Sequence, residues 1–350
     1  MTVESFTRLV ALSSALLLPT VSRNAGAQTT TTQQTVTGTV VASNMNAASV
    51  SILDIASGAT IATVPTGPGP HEVAISHSGR WAVIAIYGDR SGSGTSMLVI
   101  DLTNTASTRR IELGAGNQRP HGVQFTPDDR TLVITGERAQ RLLFVDFASG
   151  QIDSSLVTGQ ATTHMVALTR DGKQAFTTNI SAMSVSAVDV SARKLRATFP
   201  VGQRIEGIAV TPDGREVWVG GNESKAVYVL NGQSGAIEHT LQNFGMAYRI
   251  GITPDGTTAV VSDPGSEKIH IYDVATHTSR AVIDVPLMDD GKGSSPQGIS
   301  MSRDNRTAFV TLKAAAKVAI VDIARAKITG TLPVGAGSDG VGYSPTVVKK

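Results

Sequence analysis

Residues 67–89 read GPGPHEVAISHSGRWAVIAIYGD. A Gly/Pro turn leads into a short apolar run, HEVAIS. A tight turn, HSGR, leads into a second run, WAVIAIY. Short runs of alternating character, separated by turn residues, read as antiparallel strands. The pattern recurs along the chain. Its leading segments are HEVAIS (71–76), HGVQFT (121–126), HMVALT (164–169), EGIAVT (206–211), YRIGIT (248–253), QGISMS (297–302) and DGVGYS (339–344). Six are followed by a turn: HSGR, PDDR, RDGK, PDGR, PDGT or RDNR. A second strand follows, then a third ending in Asp or Asn (ILDI, VIDL, FVDF, AVDV, YVLN, IYDV, IVDI), then a short fourth.

Counted on that Asp or Asn, the period clusters at about 42–45 residues, the length of a four-stranded propeller blade. No segment has sustained helical periodicity. The array begins with second, third and fourth strands (GTVVASN, SVSILDI, TIATVPTG) and ends with a lone first strand, DGVGYSP. Joined, the two pieces make one blade and hide the free sheet edges. The expectation is all-β: a seven-bladed β-propeller of four-stranded antiparallel blades. Its first blade is shared between residues 339–345 and 37–67.

Composition agrees. Of 350 residues, 41% are hydrophobic and 17% charged, with 35 Gly and 14 Pro. That is too apolar for a disordered chain and too interrupted for a multi-span membrane protein. Thirty basic and 28 acidic residues give a net charge of +2, so a nucleic-acid partner is not expected. The absence of Cys removes disulfides, Fe–S clusters, thiolate zinc sites, covalent haem and a Cys nucleophile.

The N-terminus reads as a secretory signal over residues 1–27. Arg8 precedes the apolar stretch LVALSSALLLP (9–19), and Ala25-Gly26-Ala27 supplies a small-x-small cleavage site. Glu4 is atypical there. The apolar run is too short to span a bilayer. Residues 28–36 form a polar lead-in, and 37–350 form one propeller. The mature chain is expected in the periplasm or outside the cell, without a transmembrane span and as a monomer.

Segments such as TPDGREVWVGGNESKAVYVLN (211–231) and GPGPHEVAISHSGRWAVIAIYGD resemble the YVTN β-propeller repeat family of secreted and surface proteins. The resemblance covers nearly all of residues 37–345. TTNI and VSDP stand where a typical repeat has its namesake tetrapeptide. The resemblance implies the fold. For activity it points to binding modules, to lactonase-like enzymes and to propeller domains of redox enzymes.

In a propeller the residue opening each first strand sits at one mouth of the central channel. Around the ring these are His71, His121, His164, Glu206, Tyr248, Gln297 and Asp339. Three of the chain's seven His occupy equivalent positions in consecutive blades. Three imidazoles beside a carboxylate can hold zinc or a similar divalent metal, which would activate water or polarise a carbonyl. Duplication of a repeat can also carry a His along with only a hydrogen-bonding role. Glu206, Tyr248 and Arg249 are the candidate catalytic groups. Arg119, Arg204, Gln297 and Asp339 are candidate substrate contacts. The resulting expectation is a metal-dependent hydrolase or lyase acting on a small oxygen-rich molecule, with the lactone or ester class taken from the resemblance. The alternative is a non-catalytic propeller that binds a ligand or an envelope protein.

Two insertions, YGDRSGSGTSM (87–97) and DVPLMDDGKGSSP (284–296), are expected as loops on the His side, able to act as lids. Asp289 and Asp290 match no calcium-loop spacing. The GxGxxG at 335–340 precedes a strand with no helix after it, so no nucleotide is expected. No haem is expected either. His77, His239, His270 and His277 are expected to face solvent.

Overall fold

A computed structural model describes residues 36–348, together with Met1 and Thr2. The signal and lead-in segments (1–27 and 28–36) lie outside the described residues but for Met1, Thr2 and Val36. The described chain forms seven four-stranded antiparallel sheets and no helix. No helix among the described residues is therefore long and apolar enough to cross a membrane. Each innermost strand contacts the innermost strand of the next blade, all the way round the ring.

Blade 1 closes the ring as the incomplete ends require. Ser338–Ser344 pairs antiparallel with Thr39–Asn44, matching Val40 with Tyr343 and Ala42 with Val341. Blades 2 to 7 open with the innermost strands Pro70–Ile75, Pro120–Phe125, Thr163–Leu168, Ile205–Val210, Ile250–Ile252 and Pro296–Met301.

The two-residue period decides the packing. Val40 and Ala42 enter the cluster shared with Phe309 and Val318 of blade 7. Val41, between them, enters the cluster with Ala82 and Ile84 of blade 2. Each blade is thus apolar on both faces, and one hydrophobic cluster fills each interface between blades. A fully buried Val or Ile contributes about 1.5–3 kcal/mol, so the ring is held by its seven interfaces. The outermost strands alternate half-buried and exposed residues, as in Ile152–Val157.

The turn residues explain the repeat signature. In TPDG turns the Thr hydroxyl donates to the Asp carboxylate, as from Thr211 to Asp213 (2.7 Å) and from Thr253 to Asp255 (2.6 Å). The same hydroxyl accepts the backbone N–H five residues on, at Glu216 and Thr258. The Asp or Asn that ends each third strand accepts from the following turn, as Asp54 does from Ser57 N (2.8 Å) and Asn231 from Ser234 N (3.0 Å).

The structure corrects two expectations. The 87–97 insertion is no loose loop: strands Trp81–Asp89 and Gly92–Asp101 extend it as a paired hairpin. Gly88 there adopts φ of 88°, which admits the kink. His270 is buried rather than solvent-facing, with Nε2 3.2 Å from the Asp263 carboxylate and its ring against Phe244. His277 is half-buried, stacked between Trp218 and His239, while His77 and His239 are exposed.

Candidate functional site at the axial channel

The backbone of the site is fixed by hydroxyls reaching between blades. A Ser or Thr on the second strand of one blade donates to the carbonyl that opens the next. Ser43 reaches His71 O, Thr135 reaches His164 O, Thr178 reaches Glu206 O (2.7 Å) and Thr311 reaches Asp339 O (2.8 Å). These bonds fix the backbone of four of the seven opening residues before their side chains do anything.

Three imidazoles converge. The ring centroids of His71 and His121 are 4.1 Å apart, and those of His121 and His164 are 3.6 Å apart. His121, in the middle, is fully buried, and neither of its nitrogens has a hydrogen-bond partner. His71 Nδ1 and His164 Nε2 also lack one. Unpaired buried polar atoms are uncommon, and four of them in one cluster mark a place built for something else. Donor atoms of His71, Glu72 and His121 all lie within 4.8 Å of one another. A tetrahedral zinc would bring them to about 3.4 Å apart, a small ring movement.

His164 is held differently. Its Nδ1 lies 2.9 Å from Glu137 Oε2, and its Nε2 3.4 Å from Glu206 Oε1. Beyond it, Arg249 is almost fully enclosed. It donates to Glu72 Oε1 at 2.8 Å and to Glu206 Oε1 at 2.9 Å. Tyr87 donates to Glu137 (2.9 Å) and accepts from Arg119 (3.1 Å). Asp339 pairs with Lys313 at 2.7 Å, and its second oxygen is buried without a partner. Asn222 donates to the outer oxygen of Glu206.

One position after each opening residue, the repeat places Glu72, Gly122, Met165, Gly207, Arg249, Gly298 and Gly340 at equivalent points of the inner strands. Four are Gly because a Cβ there would strike a neighbouring backbone. At Gly207 it would lie 2.0 Å from Tyr248 O, and at Gly298 2.0 Å from Asp339 O. Into this narrow, side-chain-poor layer blade 2 sends Glu72 and blade 6 sends Arg249, and they meet across the axis. The next level is an aliphatic collar of Val73, Val123, Val166, Ile208, Ile250, Ile299 and Val341. The ion pair and this collar line a cavity of about 120 Å³. A further cavity of about 410 Å³ continues toward Ile75, Phe125 and Tyr343.

Electrostatics divide the imidazoles. Burial pushes His121 far below the ordinary imidazole value, and the electrostatic influence of His164, His71 and Arg249 pushes the same way. His121 is therefore neutral, with a lone pair to offer. Burial also opposes charge on His164, but the hydrogen bond to Glu137 and the nearby Glu206 carboxylate outweigh it and raise its value. Burial opposes ionisation of Glu72, yet Arg249 and His71 hold its carboxyl at about 2. Glu206 is held well below the usual carboxylate range, against burial, by Arg249 and His164. Burial and the Glu137 carboxylate push the Tyr87 phenol to about 12, and burial pushes that of Tyr248 well above its ordinary value.

Of the residues singled out from sequence, His71, His121, His164, Glu206, Arg249 and Asp339 come together. Tyr248 lies beside them, with the Arg249 guanidinium 4.5 Å over its ring. Arg119 joins through Tyr87, and Gln297 through Lys313 at 3.4 Å. Arg204 does not join: it makes an exposed pair with Glu223. The structure adds Glu72, Glu137, Tyr87, Lys313 and Asn222. Of these, Glu72 had a sequence signal, since it occupies a position that is otherwise mostly Gly. The loop 284–296 is tied to blade 6, where the Glu267 carboxylate accepts from Ser295 N (2.9 Å).

A closed seven-bladed ring with a polar, charged axial cluster defines the class. The chain belongs to the YNCE-like beta-propeller family, whose model matches residues 6–345. That agrees with the repeat resemblance read from the sequence. No curated protein matches it. Among solved structures it is similar to hydrazine synthase of Kuenenia stuttgartiensis, with 16% identity, a TM-score of 0.69, and coverage of 80% of this chain and 91% of that one. It is also similar to a functionally unknown protein from Desulfotomaculum acetoxidans DSM 771, with 14% identity, a TM-score of 0.71, and coverage of 88% and 99%. At these identities the likeness is one of fold.

Proposed function

We propose that the axial cluster binds a divalent metal such as zinc, and that the protein is a periplasmic or secreted hydrolase or lyase acting on a small oxygen-rich substrate of the lactone or ester class. The observation that carries this reading is His121: neutral, fully enclosed and unpaired at both nitrogens, beside His71 and the ionised Glu72. Two imidazoles and a carboxylate are a common zinc donor set, and they leave a fourth position for water or substrate. His164 and the Tyr248 phenol are the nearby groups able to donate a proton, and Glu206 holds His164 in place. The substrate class comes from the lactonase-like relatives that the repeat resembles, and the location from the signal read in residues 1–27.

Elemental analysis of untagged protein after incubation with zinc or manganese, followed by an ester and lactone panel, tests the proposal. About one metal per chain, lost with His121→Ala, supports it. No bound metal under either condition overturns it. A second reading, a metal-free ligand-binding propeller, draws on the ion pairs themselves. Glu72, Glu206 and Asp339 each already have a cationic partner within the protein.

A further inference from the structure

The Glu72 carboxylate belongs to two sets at once. Its Oε1 accepts from Arg249 at 2.8 Å and lies 3.6 Å from His71 Nδ1. It is also the carboxylate member of the His71–Glu72–His121 group. A metal that takes Glu72 takes it from Arg249. The guanidinium would then keep Glu206 alone, with one side facing the channel. Arg249 Nε is already buried with no acceptor. It borders the 120 Å³ cavity, whose remaining wall is mostly aliphatic.

We infer that Arg249 binds the carboxylate of an aliphatic monocarboxylic acid in the channel, and that the Glu72–Arg249 pair couples this site to the metal. The inference rests on the metal reading above and names the ligand class that reading lacks. Two acceptor oxygens suit the guanidinium edge. A phosphate would bring further charged oxygens into a wall where, besides the ion pair, only the Gln124 amide among the described lining residues is a polar side chain. The aliphatic body lies along the collar and into the 410 Å³ cavity beyond, which shares Val73, Ile208 and Ile299 with the smaller one. A metal on Glu72 frees Arg249 for the acid, and the acid on Arg249 frees Glu72 for the metal. Each ligand therefore tightens the other by the same factor.

Calorimetric titration of zinc into the full chain, alone and with propanoate, hexanoate or hexanamide, tests this. Hexanoate should tighten zinc binding by about tenfold, within the usual range of coupling between sites. Hexanamide should not. Carboxylate–zinc complexes in solution act in the opposite direction, so they cannot imitate the effect. Hexanoate should bind the channel more tightly than propanoate, by about three- to fourfold for each buried methylene, and so reach its full effect on zinc at a lower concentration. Arg249→Gln should still bind zinc but lose the carboxylate effect; if that variant does not fold, the amide comparison on the wild-type chain decides. Absence of zinc binding overturns the metal reading and this inference with it. Zinc binding indifferent to hexanoate, or equally sensitive to hexanamide, overturns this inference alone. An undiminished carboxylate effect in folded Arg249→Gln overturns the assignment to Arg249.

Discussion

Arg249 of blade 6 donates to Glu72 of blade 2 at 2.8 Å, across the axis of the ring. The two residues are 177 positions apart in the chain, and both occupy a level of the inner strands that four other blades fill with Gly. The pair therefore does two jobs. It divides the channel between a polar imidazole side and an aliphatic side. It also neutralises two charges that could not otherwise be buried there.

Removing one partner should cost far more than removing both. Glu72→Ala leaves the guanidinium with one of its two carboxylates and should destabilise by about 3 kcal/mol. The double variant Glu72→Met/Arg249→Met should recover a large part of that loss. Urea unfolding of the two single variants and the double variant measures the coupling. Simple additivity would show that the pair carries no such energy.

His121→Ala should abolish metal binding while leaving the fold intact. Its ring makes no hydrogen bond that the fold depends on. His239→Ala, at an exposed ring stacked on His277, should leave metal binding unchanged. Metal content and circular dichroism of the two variants check this. Full metal occupancy in His121→Ala would remove His121 from the ligand set.

Asp263 sets an acid limit to stability. It is fully buried. Burial raises its value, but His270, Ser266 and the backbone N–H groups of Gly245 and Met246 hold it at about 2, below its ordinary 3.8. The unfolded chain takes up this proton first as pH falls. The stabilisation is therefore complete above 3.8 and is lost between there and about 2. Asp263→Asn should be less stable at neutral pH and show a shallower acid limb. Unfolding free energies between pH 2 and 6 test this, and an unchanged slope would refute it.

Thr135→Val removes the hydroxyl that accepts from Gly122 N and donates to His164 O. A buried N–H and a carbonyl then lose a partner, at about 1–3 kcal/mol. The carbonyl belongs to His164, so zinc affinity should fall alongside stability. Chemical denaturation and a zinc titration of the same variant read both. Loss of neither would mean that the hydroxyl bridges do not set the ring.

Deleting residues 338–350 removes the inner strand of blade 1. It exposes the Thr39–Asn44 edge and opens the 7/1 interface formed by Val341, Phe309 and Val40. Such an edge is a template for pairing between chains. The truncated chain should aggregate or unfold, read by light scattering after size exclusion. A stable monomer would contradict closure as the source of stability.

The sequence alone determined the architecture. Alternating apolar runs, TPDG-type turns and third strands ending in Asp are local signals, each set by hydrogen bonds within a few residues, such as Thr211 with Asp213 and Glu216. Repetition multiplied them, and the mismatched ends made blade 1 legible as a shared blade. The equivalence of His71, His121 and His164 was legible for the same reason, because a repeat carries a residue to the same place in each blade. The partners of those residues were not legible. Glu137 and Tyr87 lie beyond the repeat positions, at the channel-side end of second strands, and only the closed ring brings Tyr87 to Arg119 and Glu137 to His164. Arg204 and Arg249 looked alike in the sequence, yet one is exposed on Glu223 and the other is enclosed between Glu72 and Glu206. Local pattern specifies a blade, because backbone pairing and turn chemistry act between near neighbours. Which charges meet at the axis depends on closing the ring, because that alone brings opposite blades within a few ångströms of each other.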